Sequence, residues 1–422
     1  MARAFNFSAG PATLPPEVLQ QIQNDLVDYK GTGMSVMEMS HRGKDYPAIH
    51  AEAKANFKEL CGIGDDYEVV FIQGGGSQQF AMIPMNFLPA GATADYANQG
   101  TWSGKALKEA KIVAALRGAN VNTVADCAKD IPTRMPADGE WKFSDNAVYT
   151  HLCTNETISG AQLKKIPEVK GPLFADMSSD ILGIDRDFTK FDLFYAGAQK
   201  NLGPAGMAVV AIRKELAAKG AANIPTLLQY RTHVDNDSLF NTPPTFAIYV
   251  FGEVMKWVKK MGKQKLFALN DAKAKKIYDV IDSTEFYRGT ALPEYRSNMN
   301  VTFRLPSEEL EKKFVDEAKK LGMSSLKGHR SVGGIRATIY NAFPMEGVDA
   351  LVQFMRDFGT FFCRHVFWYI AHDTNTPIYF CDACYFIFLT CVYRIYRFQS
   401  TRSYCRMGRA CLWFFCYLPC CS

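Results

Sequence analysis

Up to about residue 260, short apolar runs alternate along the chain with stretches in which apolar residues recur at helical spacing. The runs YEVVFIQ, GPLFADM, FDLFYAG and GMAVVAI, at 67–73, 171–177, 191–197 and 206–212, have the length and composition of buried strands. Pro15–Tyr29 is typical of the helical stretches and carries proline in its first turn. Strands that alternate with helices form a mainly parallel sheet covered on both faces, so the pattern predicts an α/β fold. Ligands of such folds bind at the carboxyl ends of the strands.

A second region extends from about Gln264 to Phe358. Three of its stretches have helical periodicity, namely KKIYDVIDS, SEELEKKFVDEAKKLG and GVDALVQFMRDF, and SNMNVTFRL indicates a pair of strands. This mixture predicts a smaller α+β domain. We therefore divide the chain into an N-terminal segment (1–15), a large domain (16–263), a small domain (264–358) and an extension of different composition (359–422).

Charge and cysteine content separate the C-terminal extension (residues 359–422) from the rest of the chain. The extension has six arginines and two aspartates but neither lysine nor glutamate, so it carries most of the formal net charge of +5. The near-neutral remainder offers no electrostatic basis for binding nucleic acid. Its three cysteines, Cys61, Cys127 and Cys153, fit a reduced compartment, and MARAFNFSAGP has no apolar run of signal-peptide length. We therefore expect a cytoplasmic protein.

The extension itself admits three interpretations. Its 64 residues contain nine of the twelve cysteines and 18 aromatic residues, which suggests translation past a normal end, through a frameshift or a retained intron. Alternatively, IYFCDACYFIFLTCVY contacts a membrane, although it is interrupted by Asp382 and falls short of the roughly 20 residues that span a bilayer. A metal site at Cys381 and Cys384, with Cys363, His365 or His372, is the third interpretation, and an unmatched C-x-x-C is weak support for it. We therefore predict no metal, and membrane contact only through the extension.

One lysine stands among small residues directly after the run at 191–197. In FYAGAQKNLG, Lys200 follows alanines and glycine and is followed closely by another glycine. The decapeptide alone is also typical of a surface loop. A lysine lowered into a pocket, however, loses its proton more readily and becomes a nucleophile toward carbonyl carbon.

Three further features accompany Lys200. The first apolar run leads into GGGSQQF, where glycines permit close approach and a helix start offers N–H groups to an anion. Asp176 ends the run at 171–177, and Trp102 lies in NQGTWSGKA. The glycines alone could form a tight turn, and the aspartate alone could cap the next element. Together with Lys200 they match the needs of pyridoxal phosphate, which takes a lysine, a carboxylate at its pyridine nitrogen, a phosphate site and a flat side chain against its ring.

The same stretches, with others between residues 6 and 342, carry a family resemblance. NFSAGPATLP, GMSVMEMSHRGKDY, FIQGGGSQQF, GTWSGKA, TNETISG, ADMSSDIL, YAGAQKNLGPAG, LFNTPPTFAIYV and SLKGHRSVGGIRATIYNA follow one another in this order. In them the chain resembles the phosphoserine aminotransferases, class V aminotransferases among the fold-type I enzymes that depend on pyridoxal phosphate. The resemblance implies the fold-type I architecture, with a large cofactor-binding domain and a smaller C-terminal domain.

Matched position by position, the resemblance implies that Lys200 forms the Schiff base with the cofactor and shuttles the proton of the substrate Cα. Asp176 would keep the pyridine nitrogen protonated, Trp102 would stack on the ring, and Thr157 would hydrogen-bond near it. Five further residues would surround the cofactor phosphate: Gly76, Ser77 and Gln199, joined from the partner subunit by Asn241 and Thr242. The resemblance therefore implies a homodimer, although NTPP is also an ordinary turn sequence.

The resemblance also implies a substrate site made of five basic residues: His41, Arg42, His329, Arg330 and Arg336. Arg336 would bind the α-carboxylate with its planar guanidinium, and the other four would bind the phosphate of phosphoserine. The implied reaction exchanges an amino group between glutamate and 3-phosphohydroxypyruvate in serine biosynthesis. Some members of the family also use the longer 3-hydroxy-2-oxo-4-phosphooxybutanoate on the route to pyridoxal phosphate.

Two alternatives remain open at this point. The chain could be another fold-type I enzyme, such as an aminotransferase for a different small substrate or a cysteine desulfurase. A desulfurase would need a catalytic cysteine on a loop late in the body, and none of the three upstream cysteines lies there. The second alternative is a non-catalytic product that is misfolded or tethered to a membrane by its extension.

Overall fold

The computed structural model describes residues 3–373. Its helices are α1 (Pro16–Asp25), α2 (Tyr46–Cys61), α3 (Gly76–Phe87), α4 (Thr101–Arg117), α5 (Lys214–Ala218), α6 (Tyr230–Asp235), α7 (Thr245–Met261), α8 (Lys263–Asp282), α9 (Glu308–Lys320) and α10 (Met345–Asp373). Its strands are β1 (Phe5–Asn6), β2 (Tyr67–Gln73), β3 (Thr93–Asn98), β4 (Asn120–Asp126), β5 (Thr150–Cys153), β6 (Asn155–Glu156), β7 (Ala161–Gln162), β8 (Leu173–Asp176), β9 (Leu193–Gly197), β10 (Met207–Arg213), β11 (Arg288–Gly289), β12 (Asn300–Arg304), β13 (Met323–Ser324) and β14 (Ile335–Thr338).

A seven-stranded sheet forms the centre of the fold, with the order β2-β10-β9-β8-β5-β3-β4. Its pairs from β9 to β4 are parallel, whereas β10 is antiparallel to both of its neighbours. Six strands therefore share one direction, and β10 alone runs against them. The predicted α/β fold with a mainly parallel sheet is confirmed, and the four predicted strands coincide with β2, β8, β9 and β10 to within two residues at each end.

Helices cover both faces of this sheet, as the buried side chains show. In β2, Val69 and Phe71 belong to one apolar cluster, which also takes residues from α2 and α7. Val70 and Ile72 belong to the other cluster, on the side of α3 and α4. The alternation follows from the two-residue period of a strand, and it explains why the predicted strands are apolar throughout.

The region after α8 contains a separate three-stranded antiparallel sheet, β11-β12-β14. The pair of strands expected around SNMNVTFRL is present: this stretch contains β12, which pairs with β11 before it and with β14 further along the chain. The three predicted helices correspond to α8, α9 and α10. Met1–Phe358 forms one compact unit, and its division into a large and a small domain at residue 263 stays a prediction.

The first helix is shorter than its apolar pattern predicts. It ends at Asp25, yet Tyr29 is buried and packs edge-on against Tyr249, with 6.0 Å between the ring centroids. A residue in the turn after a helix can thus be buried in the core like a residue of the helix itself. The apolar periodicity alone does not distinguish such a turn from one more turn of helix.

None of the described helices combines the length and apolarity that crossing a bilayer would require. The cysteine pair Cys381 and Cys384 and the apolar stretch 378–393 lie outside the described residues, as do the side chains of Cys363, His365 and His372. Among the described residues, no three His, Cys, Asp or Glu side chains are grouped as a metal site would need.

Candidate active site

The predicted cofactor residues follow strands whose carboxyl ends meet at one edge of the sheet. β2 leads through Gly74 and Gly75 into α3, β8 ends at Asp176, and β9 leads to Gln199 and Lys200. These three strands run in the same direction, although β10 separates β2 from β9. Side chains distant in sequence therefore assemble at this edge.

Lys200 lies between Thr157 and the indole of Trp102. Its Nζ donates a hydrogen bond to Thr157 Oγ1 over 2.9 Å and lies 5.3 Å from the centroid of the Trp102 ring. Burial lowers the pKa of the Lys200 amine, and the nearby Asp176 carboxylate acts in the opposite direction. The structure thus places an amine that deprotonates more readily than a surface lysine beside an aromatic face.

Asp176 is held by a serine that the sequence did not single out. Its carboxylate is 5% exposed, and Oδ1 accepts hydrogen bonds from the backbone N–H and the hydroxyl of Ser178, at 2.9 and 2.6 Å. The same hydroxyl accepts the N–H of Gly197 over 3.0 Å. Burial raises the pKa of the Asp176 carboxyl, whereas Lys200 and the Ser178 donors oppose this rise. The carboxylate is therefore fixed in direction and positioned to pair with a buried cationic group.

The start of α3 has the properties of an anion site. Gly74 and Gly75 adopt φ values of +113° and +98°, which favour glycine and allow the sharp turn from β2 into the helix. A Cβ on Gly76 would lie 3.0 Å from Ser178 Oγ, so a side chain there would press on the serine that holds Asp176. The first N–H groups of α3, from Gly76 and Ser77 onward, have no partner within the helix and attract negative charge. Gln199 folds back against Gly197, where a Cβ would lie 2.7 Å from its Oε1.

These residues fit pyridoxal phosphate. They provide an amine of lowered pKa, a buried carboxylate, an aromatic face and a helix N-terminus free of side-chain bulk, all at one sheet edge. In addition, the indole Nε1 of Trp102 is buried with no hydrogen-bond partner in the described part of the chain. Such an unsatisfied donor is costly unless a ligand or water accepts from it.

A cluster of basic residues adjoins this edge. Arg336, on β14, has a buried Nε without a partner among the described residues, and burial lowers the pKa of its guanidinium. The pKa of His329 is lowered first by burial and then by the positive charges of Arg336, Arg330 and Lys105. Arg336 also acts on the pKa of Lys200. The structure therefore brings His329, Arg330 and Arg336 close enough for their charges to interact, with Arg336 also close enough to act on Lys200. It adds Lys105, which the sequence analysis did not name.

The other four predicted residues are not linked to Lys200 by the contacts of the described residues. No hydrogen bond, ion pair or ring contact of the described residues links His41, Arg42, Asn241 or Thr242 to Lys200. Thr242 accepts a hydrogen bond from the side chain of Gln73 over 2.8 Å, and His41 has a buried Nε2 without a described partner.

Two site neighbours escaped the sequence analysis besides Lys105. Ser178 follows Asp176 by two residues, and a serine in that position is a recognisable local hydrogen-bond donor to an aspartate. Glu156 precedes Thr157 and is fully buried, with its carboxylate at the start of α4. The sequence carries no direct signal for this role: the N-cap residue of α4, Gly100, has no side chain, but Thr101 and Ser103 follow it.

Comparisons with known proteins identify the family of the chain. A family model described as aminotransferase class-V matches residues 4–351. The phosphoserine aminotransferases of Desulfosudis oleivorans and Niallia circulans are 51% and 52% identical to the chain over 359 residues, covering 84% of this chain and 98% of each relative. The solved structure of phosphoserine aminotransferase from Bacillus circulans subsp. alkalophilus has a TM-score of 0.81 at 51% identity, covering 85% of this chain and 99% of that one. The pyridoxal-phosphate-bound phosphoserine aminotransferase of Trichomonas vaginalis has a TM-score of 0.81 at 42% identity, covering 84% of this chain and 100% of that one. The chain belongs to the phosphoserine aminotransferase family, within the class-V aminotransferases that depend on pyridoxal phosphate.

Proposed function

We propose that the chain transfers an amino group between glutamate and 3-phosphohydroxypyruvate, yielding O-phospho-L-serine and 2-oxoglutarate in serine biosynthesis. The longer 3-hydroxy-2-oxo-4-phosphooxybutanoate is a second candidate substrate. The observation that carries the proposal is the position of Lys200, which lies buried between Thr157 and Trp102 and near enough to Arg336 for the two charges to interact. A nucleophilic amine beside a guanidinium suits an amino acid or oxo acid, because the carboxylate can bind the guanidinium while Cα faces the amine.

Bound pyridoxal phosphate supplies an electron-accepting ring that stabilises negative charge developing at the substrate Cα. Asp176 would hold a proton on the ring nitrogen, because a buried carboxylate stabilises an adjacent cation. Gly76, Ser77 and Gln199 would hold the phosphate at the start of α3. Trp102 would stack on the ring, and Thr157 would orient groups near it.

Lys200 would act as the general base and general acid at the substrate Cα. Its lowered pKa leaves a larger share of the amine unprotonated near neutral pH, which is the state that accepts the Cα proton. Thr157 Oγ1, its hydrogen-bond partner at 2.9 Å, keeps Nζ aimed at this position. Arg336 would bind the α-carboxylate in a bidentate manner, and His329 and Arg330 would bind the distal phosphate or carboxylate.

The chain would act as a homodimer in the cytoplasm. The partner subunit's Asn241 and Thr242 would complete the phosphate site. Phe240, next to this pair, is 46% exposed, and Met37, close to His41 and Arg42, is 56% exposed. Large apolar side chains exposed in this way are typical of surfaces that a second subunit covers.

The substrate proposal is tested by the visible absorption spectrum of the full-length holoenzyme during titration with O-phospho-L-serine. We expect the band of the bound cofactor to convert to that of its amino form and to return when 2-oxoglutarate is added. L-Serine is the matched control, because it lacks the phosphate. Equal conversion by serine and phosphoserine would refute the phosphate specificity, and no conversion by either would refute the transaminase proposal. Comparison with a chain that ends at Phe358 shows whether the extension affects the result.

The shared site is tested by mixing two inactive variants, Lys200→Ala and Asn241→Asp. In a dimer with shared sites, each mixed dimer contains one site in which both positions are wild type. Random mixing should then restore about a quarter of the wild-type activity after unfolding and refolding together. If each site used Lys200 and Asn241 of the same chain, no mixture would recover activity.

A further inference from the structure

Helix α4 begins without a capping side chain of its own. Its N-cap residue is Gly100, so the usual local acceptor for the first free N–H groups is missing. Glu156, on β6, replaces that acceptor from a distant part of the chain. Its Oε2 accepts the N–H of Trp102 over 3.0 Å, and its Oε1 accepts the N–H of Ser103 over 2.8 Å.

Ser103 connects the two halves of this cap. Its hydroxyl donates to Glu156 Oε1 over 2.7 Å and accepts the N–H groups of Gln99 and Gly100, at 2.8 and 2.9 Å. In an ordinary capping box the N-cap residue supplies the acceptor for the third N–H of the helix. Here Ser103, the third residue of the helix, accepts the N–H of Gly100 as in an ordinary capping box. Glu156 accepts the N–H of Ser103 in place of the side chain that Gly100 lacks.

The Glu156 side chain occupies space that is free only because Gly100 has no side chain. A Cβ on Gly100 would lie 2.6 Å from Glu156 Cδ, a distance that real Cβ contacts do not reach. Glu156 is fully buried, so its carboxylate cannot swing out to make room. The extended backbone of Gly100, with a φ of 168°, would otherwise accept any residue. The glycine therefore serves to admit the glutamate.

The cap lies directly at the site. One of the N–H groups that Glu156 binds belongs to Trp102, whose ring centroid is 5.3 Å from Lys200 Nζ. The next residue along the chain, Thr157, binds that same Nζ. Adjacent residues of one segment therefore hold the tryptophan and the lysine, and a shift of this segment would move both.

We infer that Glu156 is a positioning residue, which fixes the indole of Trp102 against the cofactor by supplying the missing N-cap of α4. The inference rests on the proposed stacking of Trp102 on pyridoxal phosphate. A glutamate that merely stabilised the fold would affect unfolding but would leave the bound cofactor in its normal environment. The two roles are thus separable by signals that come from the cofactor itself.

The test uses Glu156→Ala, Gly100→Ser and the combination of the two substitutions. The dissociation constant of pyridoxal phosphate and the visible circular dichroism of the bound cofactor are measured for each, together with the urea midpoint. We expect Glu156→Ala to diminish the dichroism and to weaken cofactor binding by up to about tenfold, because the bound cofactor must then order the start of α4 that the lost cap no longer holds. Gly100→Ser alone should also weaken binding, because its side chain collides with Glu156. In the combination, the introduced hydroxyl has room to cap α4, and binding should return to within about twofold of wild type.

Trp102→Ala and Glu156→Gln complete the set. Glu156→Gln keeps the shape of the side chain but places its amide NH2 group, a donor, against one of the two backbone N–H groups. It should therefore change the dichroism of the bound cofactor while the protein stays folded. The inference is overturned if Glu156→Ala lowers the urea midpoint yet leaves cofactor affinity and dichroism unchanged, or if the combination does not recover. If Trp102→Ala itself leaves affinity and dichroism unchanged, the stacking role fails and the inference fails with it, whereas the Lys200 assignment is untouched.

Discussion

The turn after Asp176 depends on a buried ion pair, and its removal offers a quantitative test of the structure. Arg186 and Asp180 have side chains only 4% and 0% exposed, with 2.9 Å between Arg186 Nη2 and Asp180 Oδ2. Gln162 donates to the same Asp180 oxygen over 3.2 Å, and the hydroxyl of Thr154 donates to the other. The pair thus ties the turn after β8 to the β6–β7 segment that carries Glu156 and Thr157.

We expect Arg186→Met to lower the free energy of unfolding by about 3–5 kcal/mol, because it leaves the Asp180 carboxylate buried with neutral donors alone. The lost charge-assisted hydrogen bond accounts for about 1.5–3 kcal/mol, and the uncompensated charge accounts for the remainder. Adding Asp180→Asn removes the charge, so the double variant should be more stable than Arg186→Met. Breaking a buried pair costs more than replacing both of its members.

Equilibrium urea unfolding measures these differences, followed by both circular dichroism and tryptophan fluorescence at one fixed protein concentration. Coincident transitions are needed before the midpoints are converted to free energies. Lys165→Met is the matched control, because the Lys165–Asp138 pair has both side chains 75% exposed and should leave the midpoint unchanged. The reasoning is refuted if Arg186→Met costs less than about 1 kcal/mol, or if the double variant is no more stable than the single one.

Three further substitutions probe groups around the site. Burial lowers the pKa of His151 to about 3, so below pH 6.5 the unfolded chain binds a proton that the folded chain does not. In urea titrations at falling pH, the free energy of unfolding of the wild type should therefore fall by about 1.4 kcal/mol per pH unit relative to that of His151→Gln. Lys273 is buried and donates to three backbone carbonyls of the segment after β14. Lys273→Met should therefore lower the free energy of unfolding by about 3 kcal/mol or more in the same assay, and an unchanged midpoint would contradict this role. Gly160 has a φ of +74°, and a Cβ there would lie 2.3 Å from Thr302 Oγ1. Gly160→Ala should therefore destabilise far more than Gly118→Ala, a helix-cap position with φ of +65° and open space around it, and equal thermal midpoints would show that crowding does not matter.

The strands of the central sheet were the most predictable part of the fold, because a strand that is buried on both faces consists almost entirely of apolar residues. YEVVFIQ coincides with β2 from its first residue to its last. The antiparallel direction of β10 could not be predicted in this way, because GMAVVAI is equally apolar whichever way the strand runs. Its direction follows from its place between β2 and β9, which depends on strand order and not on local sequence. SNMNVTFRL likewise does not indicate which segments pair with β12, because its two partners come from segments before and after it.

The site shows the same division between local and distant information. Lys200 and the glycines before α3 follow strands and Asp176 ends one, so a motif and the α/β rule together predict that they meet. Glu156 acts on backbone atoms more than 50 residues earlier, and nothing near it in the sequence indicates this. At the other end, Gly100 stands before α4 without a capping side chain, but Thr101 and Ser103 beside it make the stretch resemble an ordinary helix start. Only the arrangement of β5, β6 and α4 shows that an acceptor comes from elsewhere in the fold and that Glu156 supplies it.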